Sequence, residues 1–198
     1  MSVLTDLCKD IADCRECELA KHRLRVVPGE GPEDAELFFI GEAPGWHEDQ
    51  QGRPFVGPAG QFLDELLASI GLKRGQVYIA NVIKCRPPQN RDPSPKEIEA
   101  CRKWLDRQVE IIRPKVIVTL GRYSLARYLP NEGISKVHGK ARKVGDFICY
   151  PMYHPAAALH KNSLRQIIET DMLQIPRALE LFAKGAEVPA EAQQLSLL

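Results

Sequence analysis

Four short apolar runs constrain this chain more than any other feature: Leu37–Gly41, residues 77–83, Val116–Leu120 and residues 148–152. Each is rich in β-branched or aromatic residues, is bounded by turn residues and is separated from the next by helical patterns. Strands that are apolar along their length, without alternating polar positions, need cover on both faces, as in a parallel sheet with helices on each side. The expected architecture is α/β, a three-layer α/β/α sandwich around a central four-stranded parallel sheet.

The helices between the runs are legible. Residues 58–70 put Phe62, Leu63, Leu66, Leu67 and Ile70 on one face and stop at Gly71, a C-cap residue. Ser94-Pro95-Lys96-Glu97 opens another: Ser94 caps, Pro95 suits the first helical position, and Glu97 completes a capping box. Ile98, Cys101, Leu105 and Val109 then share one side until Pro114 ends the run. A third helix is expected from Gly121, and a long one over residues 163–182, kinked at Pro176. Beyond Lys184 the helical apolar face is lost, which predicts a mobile tail. The organisation expected is one domain over residues 1–183, followed by a tail over residues 184–198.

At 44% hydrophobic and 27% charged residues, the composition is that of an ordinary soluble protein. No apolar run is long enough to span a bilayer, and residues 1–10 lack the pattern of a signal peptide, so the expected location is the cytoplasm. A net charge of +1 neither demands nor excludes nucleic acid, because binding depends on where charge clusters. Basic residues gather at Lys21, His22, Arg23 and Arg25, at Lys84, Arg86 and Arg91, and at Lys136, His138, Lys140, Arg142 and Lys143. Each group reads as a solvated face unless several flank one cleft.

The cysteines are more specific. With six in a chain expected in the cytoplasm, metal binding is favoured over disulfides. Cys14-x-x-Cys17 is a chelating pair, Cys85 follows a strand, and Cys101 lies in the next helix. Together they make a candidate four-thiolate site joining distant segments, and the spacing suits zinc or a [4Fe–4S] cluster alike. Cys85 and Cys101 could instead be small buried hydrophobes. That bland reading fits Cys8 and Cys149 better, since neither has a partner at ligand spacing.

Four elements fall at or beside strand ends, where α/β proteins build their sites. Gly41-Glu42-Ala43-Pro44-Gly45 follows the first strand and would aim the Glu42 carboxylate into a cleft. Residues 52–60, Gly-Arg-Pro-Phe-Val-Gly-Pro-Ala-Gly, form an ordered loop whose Phe55 could stack on a flat base or simply pack in the core. Asn81, in an apolar strand, needs partners and offers a donor beside an acceptor, the pattern complementary to the O4 and N3–H edge of uracil; a structural bond to a loop is the alternative. His154 follows the last strand and can donate to an oxygen gaining negative charge.

Together these residues resemble the uracil-DNA glycosylase superfamily, most closely its iron–sulfur, thermophile-type family 4 of bacteria and archaea. The resemblance spans residues 14–182 and rests on Gly-Glu-Ala-Pro-Gly, Gly-Arg-Pro-Phe-Val-Gly, Ala-Asn-Val-Ile-Lys-Cys-Arg-Pro-Pro, the Cys101 helix and Tyr-His-Pro-Ala-Ala. It implies a [4Fe–4S] cluster on Cys14, Cys17, Cys85 and Cys101, with a DNA-contacting loop, residues 86–95, hung between two ligands. It also implies that Gly41 and Glu42 line the uracil pocket, Phe55 stacks on the base, Asn81 reads its polar edge and His154 faces O2. The implied activity is removal of a base flipped out of DNA by hydrolysis of its glycosidic bond, in base excision repair. Glu42 would position or deprotonate water, while His154 would stabilise the departing uracil anion.

Ala43 stands where the best-known branch of the superfamily has an aspartate, an absence that family 4 shares, so Glu42 is the expected base, with Glu48 or Asp49 behind it. Gly45 occupies the place of a thymine-excluding tyrosine, so Glu48 could crowd a methyl group instead. A wedge filling the vacated base position is expected near Leu159 or His160. A related branch traps uracil DNA covalently through a loop histidine; residues 86–95 contain none, which argues for turnover. The rival from another class is a non-catalytic nucleic-acid binder that keeps the cysteines but tolerates loss of Asn81 and His154. Finally, Gln194, Leu195, Leu197 and Leu198 resemble the bacterial sliding-clamp-binding pentapeptide, with Leu198 in place of Phe. The protein is expected to act as a monomer.

Overall fold

A computed structural model describes residues 2–185; the clamp-like residues lie outside the described residues. In chain order the elements are α1 (Val3–Asp13), β1 (Leu37–Gly41), α2 (Trp46–Gln51), α3 (Pro58–Ser69), β2 (Tyr78–Asn81), α4 (Pro95–Ile112), β3 (Val116–Leu120), α5 (Arg122–Tyr128), α6 (Ile134–Val137), β4 (Arg142–Val144), β5 (Phe147–Met152), α7 (Pro155–His160), α8 (Asn162–Met172) and α9 (Ile175–Ala183).

The sheet runs β2-β1-β3-β5-β4, and its first four strands are mutually parallel. Successive strand residues face opposite sides of a sheet, and here both sides are buried. Phe39, Val118 and Tyr150 pack with Leu63 and Leu66 of α3, Met172 of α8 and Ile175 of α9. Phe38, Ile40 and Ile117 pack with Leu7 and Ile11 of α1 and Leu105 of α4. The three layers follow from the unbroken apolar runs. Because β1, β2, β3 and β5 are parallel, Gly41, Asn81, Leu120 and Met152 all end at one edge.

The four expected strands are present, and a fifth joins them. β4 pairs antiparallel with β5 through a tight turn at Gly145 and Asp146, where Gly145 takes φ +55°. Its Arg142 and Lys143 read in the sequence as surface charge, and edge strands often carry such residues because they discourage pairing with another chain. The long C-terminal helix is two: α8 ends at Met172, and Pro176 lies in the first turn of α9, where its missing N–H costs nothing. Helix α7, directly after His154, is too short to have left a periodic pattern. The capping box of α4 forms as expected: the Glu97 N–H donates to Ser94 Oγ at 3.3 Å and the Ser94 N–H to Glu97 Oε2 at 2.8 Å. No described helix is long and apolar enough to cross a membrane.

Candidate active site

The registered pair Gly41 and Asn81 ends β1 and β2 side by side. A Cβ on Gly41 would collide with Asn81 Oδ1 and sit 2.6 Å from the Phe55 ring, so only glycine lets these groups close in. Asn81 is buried at 1% exposure, and its Oδ1 has no hydrogen-bond partner. A buried acceptor left unpaired is costly, and a native site that retains one calls for an explanation.

Phe55 forms the adjoining wall. It adopts φ +52°, a left-handed conformation uncommon for a bulky residue and typical of strained functional loops. Arg74 holds this loop, donating from Nη1 to the Phe55 carbonyl at 3.0 Å and pairing with Glu30, which Arg53 also grips at 2.7 Å. Gly60 permits the turn, since a Cβ there would overlap the Phe55 carbonyl. Phe55 is 5% exposed and joins the main core, so its ring serves packing and site together.

The His154 ring stacks on Phe55, with centroids 5.5 Å apart and planes at 25°. His154 Nδ1 accepts from the Ala156 N–H at 3.1 Å, capping α7. That bond assigns the proton of the neutral ring to Nε2, which becomes a donor. Burial lowers the His154 pKa to about 4, chiefly by desolvation, with a nearby Glu48 opposing; the neutral form therefore prevails at pH 7.

Glu42 is half-buried; its backbone carbonyl accepts from the Ile83 N–H at 3.2 Å, while its carboxylate has no hydrogen-bond partner among the described residues. Burial, then the field of Asp92, raises its pKa, and Arg122 opposes that rise. Asp92 and Arg122 are ion-paired, which ties the loop after Cys85 to the start of α5 beside Glu42. The other two carboxylates weighed as a base are engaged in the backbone. Glu48 Oε1 accepts from the N–H groups of Val56 and Gly57, both at 2.9 Å, and its Oε2 accepts from Gly45 at 3.0 Å. Asp49 Oδ1 accepts from the N–H groups of Leu24 and Arg25. Glu48 thereby clips the two site loops together. The only sequence hint of this was its position three residues after Gly45, a capping pattern.

On the opposite side of β2, Cys14, Cys17, Cys85 and Cys101 line one chamber together with Arg23, Lys84 and Trp104. N–H donors reach three of these sulfurs: Arg23 Nη1 to Cys85 at 2.9 Å, the Lys84 N–H to Cys101 at 3.3 Å and Trp104 Nε1 to Cys14 at 3.4 Å. Burial pushes the Cys101 thiol up to about 12, so a thiolate there needs a cation beside it. No three of the described His, Cys, Asp or Glu side chains converge as the ligands of a single metal ion. Cys149 is buried in β5 and Cys8 lies against Tyr78, so both stand apart from the chamber. Lys84, grouped in the sequence with surface bases, is 1% exposed, which corrects that reading.

Fold and site together define an α/β protein in which Gly41, Phe55, Asn81 and His154 gather at the carboxyl edge of a parallel sheet. A family model described as the uracil DNA glycosylase superfamily matches residues 28–174, and this chain belongs to that superfamily. It is 48% identical over 185 residues to a type-4 uracil-DNA glycosylase of Sulfurisphaera tokodaii, covering 88% of this chain and 84% of that one. It is 49% identical over 185 residues to a type-4 uracil-DNA glycosylase of Archaeoglobus fulgidus, covering 88% and 92%. These names bear out the family-4 resemblance. A Methanosarcina acetivorans protein solved by solution NMR superposes with a TM-score of 0.50 at 11% identity, over 77% of this chain and 98% of that one, a likeness of fold alone.

Proposed function

We propose that the protein takes uracil out of the DNA stack and hydrolyses its N-glycosidic bond, leaving an abasic site for base excision repair. The observation that carries this reading is the unpaired, buried Oδ1 of Asn81 beside Gly41 and Phe55. Uracil N3–H would supply the missing donor, and the Asn81 amide would donate to O4. The geometry further supports dissociative cleavage. The bond between sugar C1′ and uracil N1 breaks, its electron pair leaves with uracil, and His154 Nε2–H donates to O2 as charge gathers there. Glu42, with its raised pKa and free oxygens, orients water toward C1′ and takes its proton.

The same reading assigns a [4Fe–4S] cluster to Cys14, Cys17, Cys85 and Cys101. Their shared chamber and N–H···S donors suit it, and thiolates spread around a chamber fit a multi-atom group better than one ion. When bound, the cluster would supply a cross-link between the segment after α1, the end of the β2 segment and α4. The exposed Leu159 on α7 is the favoured wedge, being 49% exposed and apolar. We read the protein as a cytoplasmic monomer that contacts uracil-containing DNA, with Gln194, Leu195, Leu197 and Leu198 as a sliding-clamp tether.

The test is a uracil oligonucleotide incubated with the iron-loaded protein. Strand scission at the uracil after alkali is expected; intact strands would end the assignment, and an adduct surviving denaturing electrophoresis would favour the covalent-trapping relative. Deleting residues 194–198 should abolish pull-down by the clamp and spare glycosylase activity, whereas an unchanged pull-down refutes the tether.

A further inference from the structure

Lys84 is a fully buried ammonium that none of the roles above uses. It lies three residues after Asn81 and directly before Cys85. Its Nζ donates to the Asn81 carbonyl at 2.8 Å and to Gln108 Oε1 at 2.7 Å. Gln108 is in turn fixed, donating to the Pro28 carbonyl at 2.8 Å and to Tyr78 Oη at 3.0 Å. Among the described residues Lys84 forms no ion pair with a carboxylate; it lines the chamber of Cys14, Cys17, Cys85 and Cys101, and its own N–H donates to Cys101 Sγ at 3.3 Å. A buried charge without a counter-charge is strongly disfavoured. Four thiolates outweigh the charge of a [4Fe–4S] core and leave an anionic site. Lys84 and Arg23, whose Nη1 reaches Cys85 Sγ, are the cations at hand to balance it.

From this geometry we infer that Lys84 is a positioning residue that couples the two halves of the enzyme, its ammonium serving as counter-cation to the cluster while anchoring the backbone of the uracil-reading Asn81. One residue thus touches both sites, its Nζ the Asn81 carbonyl and its N–H the Cys101 sulfur. The thiolates supply the anion that makes a cation tolerable at this depth, and the cation holds the end of β2 where Asn81 meets Gly41. On this basis the cluster contributes to base recognition without touching the base. The inference rests on the cluster assignment proposed above.

The two can be told apart. Iron content and visible absorbance of anaerobically purified wild-type protein come first; a colourless, iron-free protein overturns the cluster assignment itself. With iron present in the wild type, Lys84→Met is compared with it as holoenzyme. The expected results are a more negative cluster reduction potential, iron loss to a chelator on the order of tenfold faster, and a KM for uracil DNA that rises more than kcat falls. Gln108→Glu, confirmed folded and iron-loaded before measurement, is the second variant. It sets a carboxylate against the ammonium, so the potential should again fall, while the bond to the Asn81 carbonyl survives and KM moves less. Reduction potential and KM unchanged from wild type in a folded, iron-loaded Lys84→Met, or an unchanged potential in Gln108→Glu, would overturn the coupling.

Discussion

Two buried polar side chains three residues apart on one segment, Asn81 and Lys84, are treated in opposite ways. Lys84 is partnered: its ammonium finds the Asn81 carbonyl and Gln108, and Gln108 finds two further partners. Asn81 Oδ1 finds nothing. Both lie in a low-dielectric interior where an unmet group is costly. The difference separates a buried polar group that neighbouring protein groups satisfy from one left open beside Gly41 and Phe55, the place proposed for uracil.

The hardest blow to that contrast is Asn81→Ala. If the empty acceptor exists for uracil, kcat/KM should fall by roughly 10²–10³-fold with the melting temperature little changed; near-normal rates would remove the contrast. Acid comes next. His154 is held near pKa 4 in the folded protein and titrates near 6.5 when unfolded, so between those values the unfolded chain binds the extra proton. The His154 contribution to stability is therefore complete above about pH 6.5 and declines as pH falls toward 4. Activity that depends on its neutral ring should persist to about pH 5 as far as this group is concerned. Measuring kcat and melting temperature together across that range, with His154→Ala as reference, checks both; a loss of activity centred near pH 6.5 that vanishes in the variant would contradict the burial.

A smaller effect concerns the loop before α4. Glu97 caps that helix and pairs with Arg91 at 2.7 Å, which holds its carboxyl down to about 2. Glu97→Ala should cost about 1 kcal/mol, read by denaturant unfolding at neutral pH, and Glu97→Gln less. Smallest of all, Cys8→Ala should leave iron content and rate unchanged, because Cys8 lies outside the chamber; loss of iron would redraw the ligand set.

Much of this was legible in the residues. Unbroken apolar runs disclosed the parallel strands, and the motifs at their ends singled out Glu42, Asn81 and His154 as candidates, because glycine, proline and isolated polar residues are conspicuous against β-branched neighbours. What stayed hidden depends on partners distant in the chain. Lys84 looks like one surface base among several until Gln108 and the cysteines enclose it. Arg74 carries no motif, yet it holds the backbone of Phe55. β4 is three residues long and bears two charges, so no periodicity could announce it.

The left-handed Phe55 and the bare Cα of Gly60 beneath its carbonyl have a further consequence. The wall of the crevice is seated on the first turn of α3, so it cannot lift as a hinged flap without disturbing a helix whose Leu63, Leu66 and Leu67 belong to the main core. Hydrogen–deuterium exchange at the amides of residues 56–61 should thus keep pace with the sheet interior, with this wall already in place before DNA arrives.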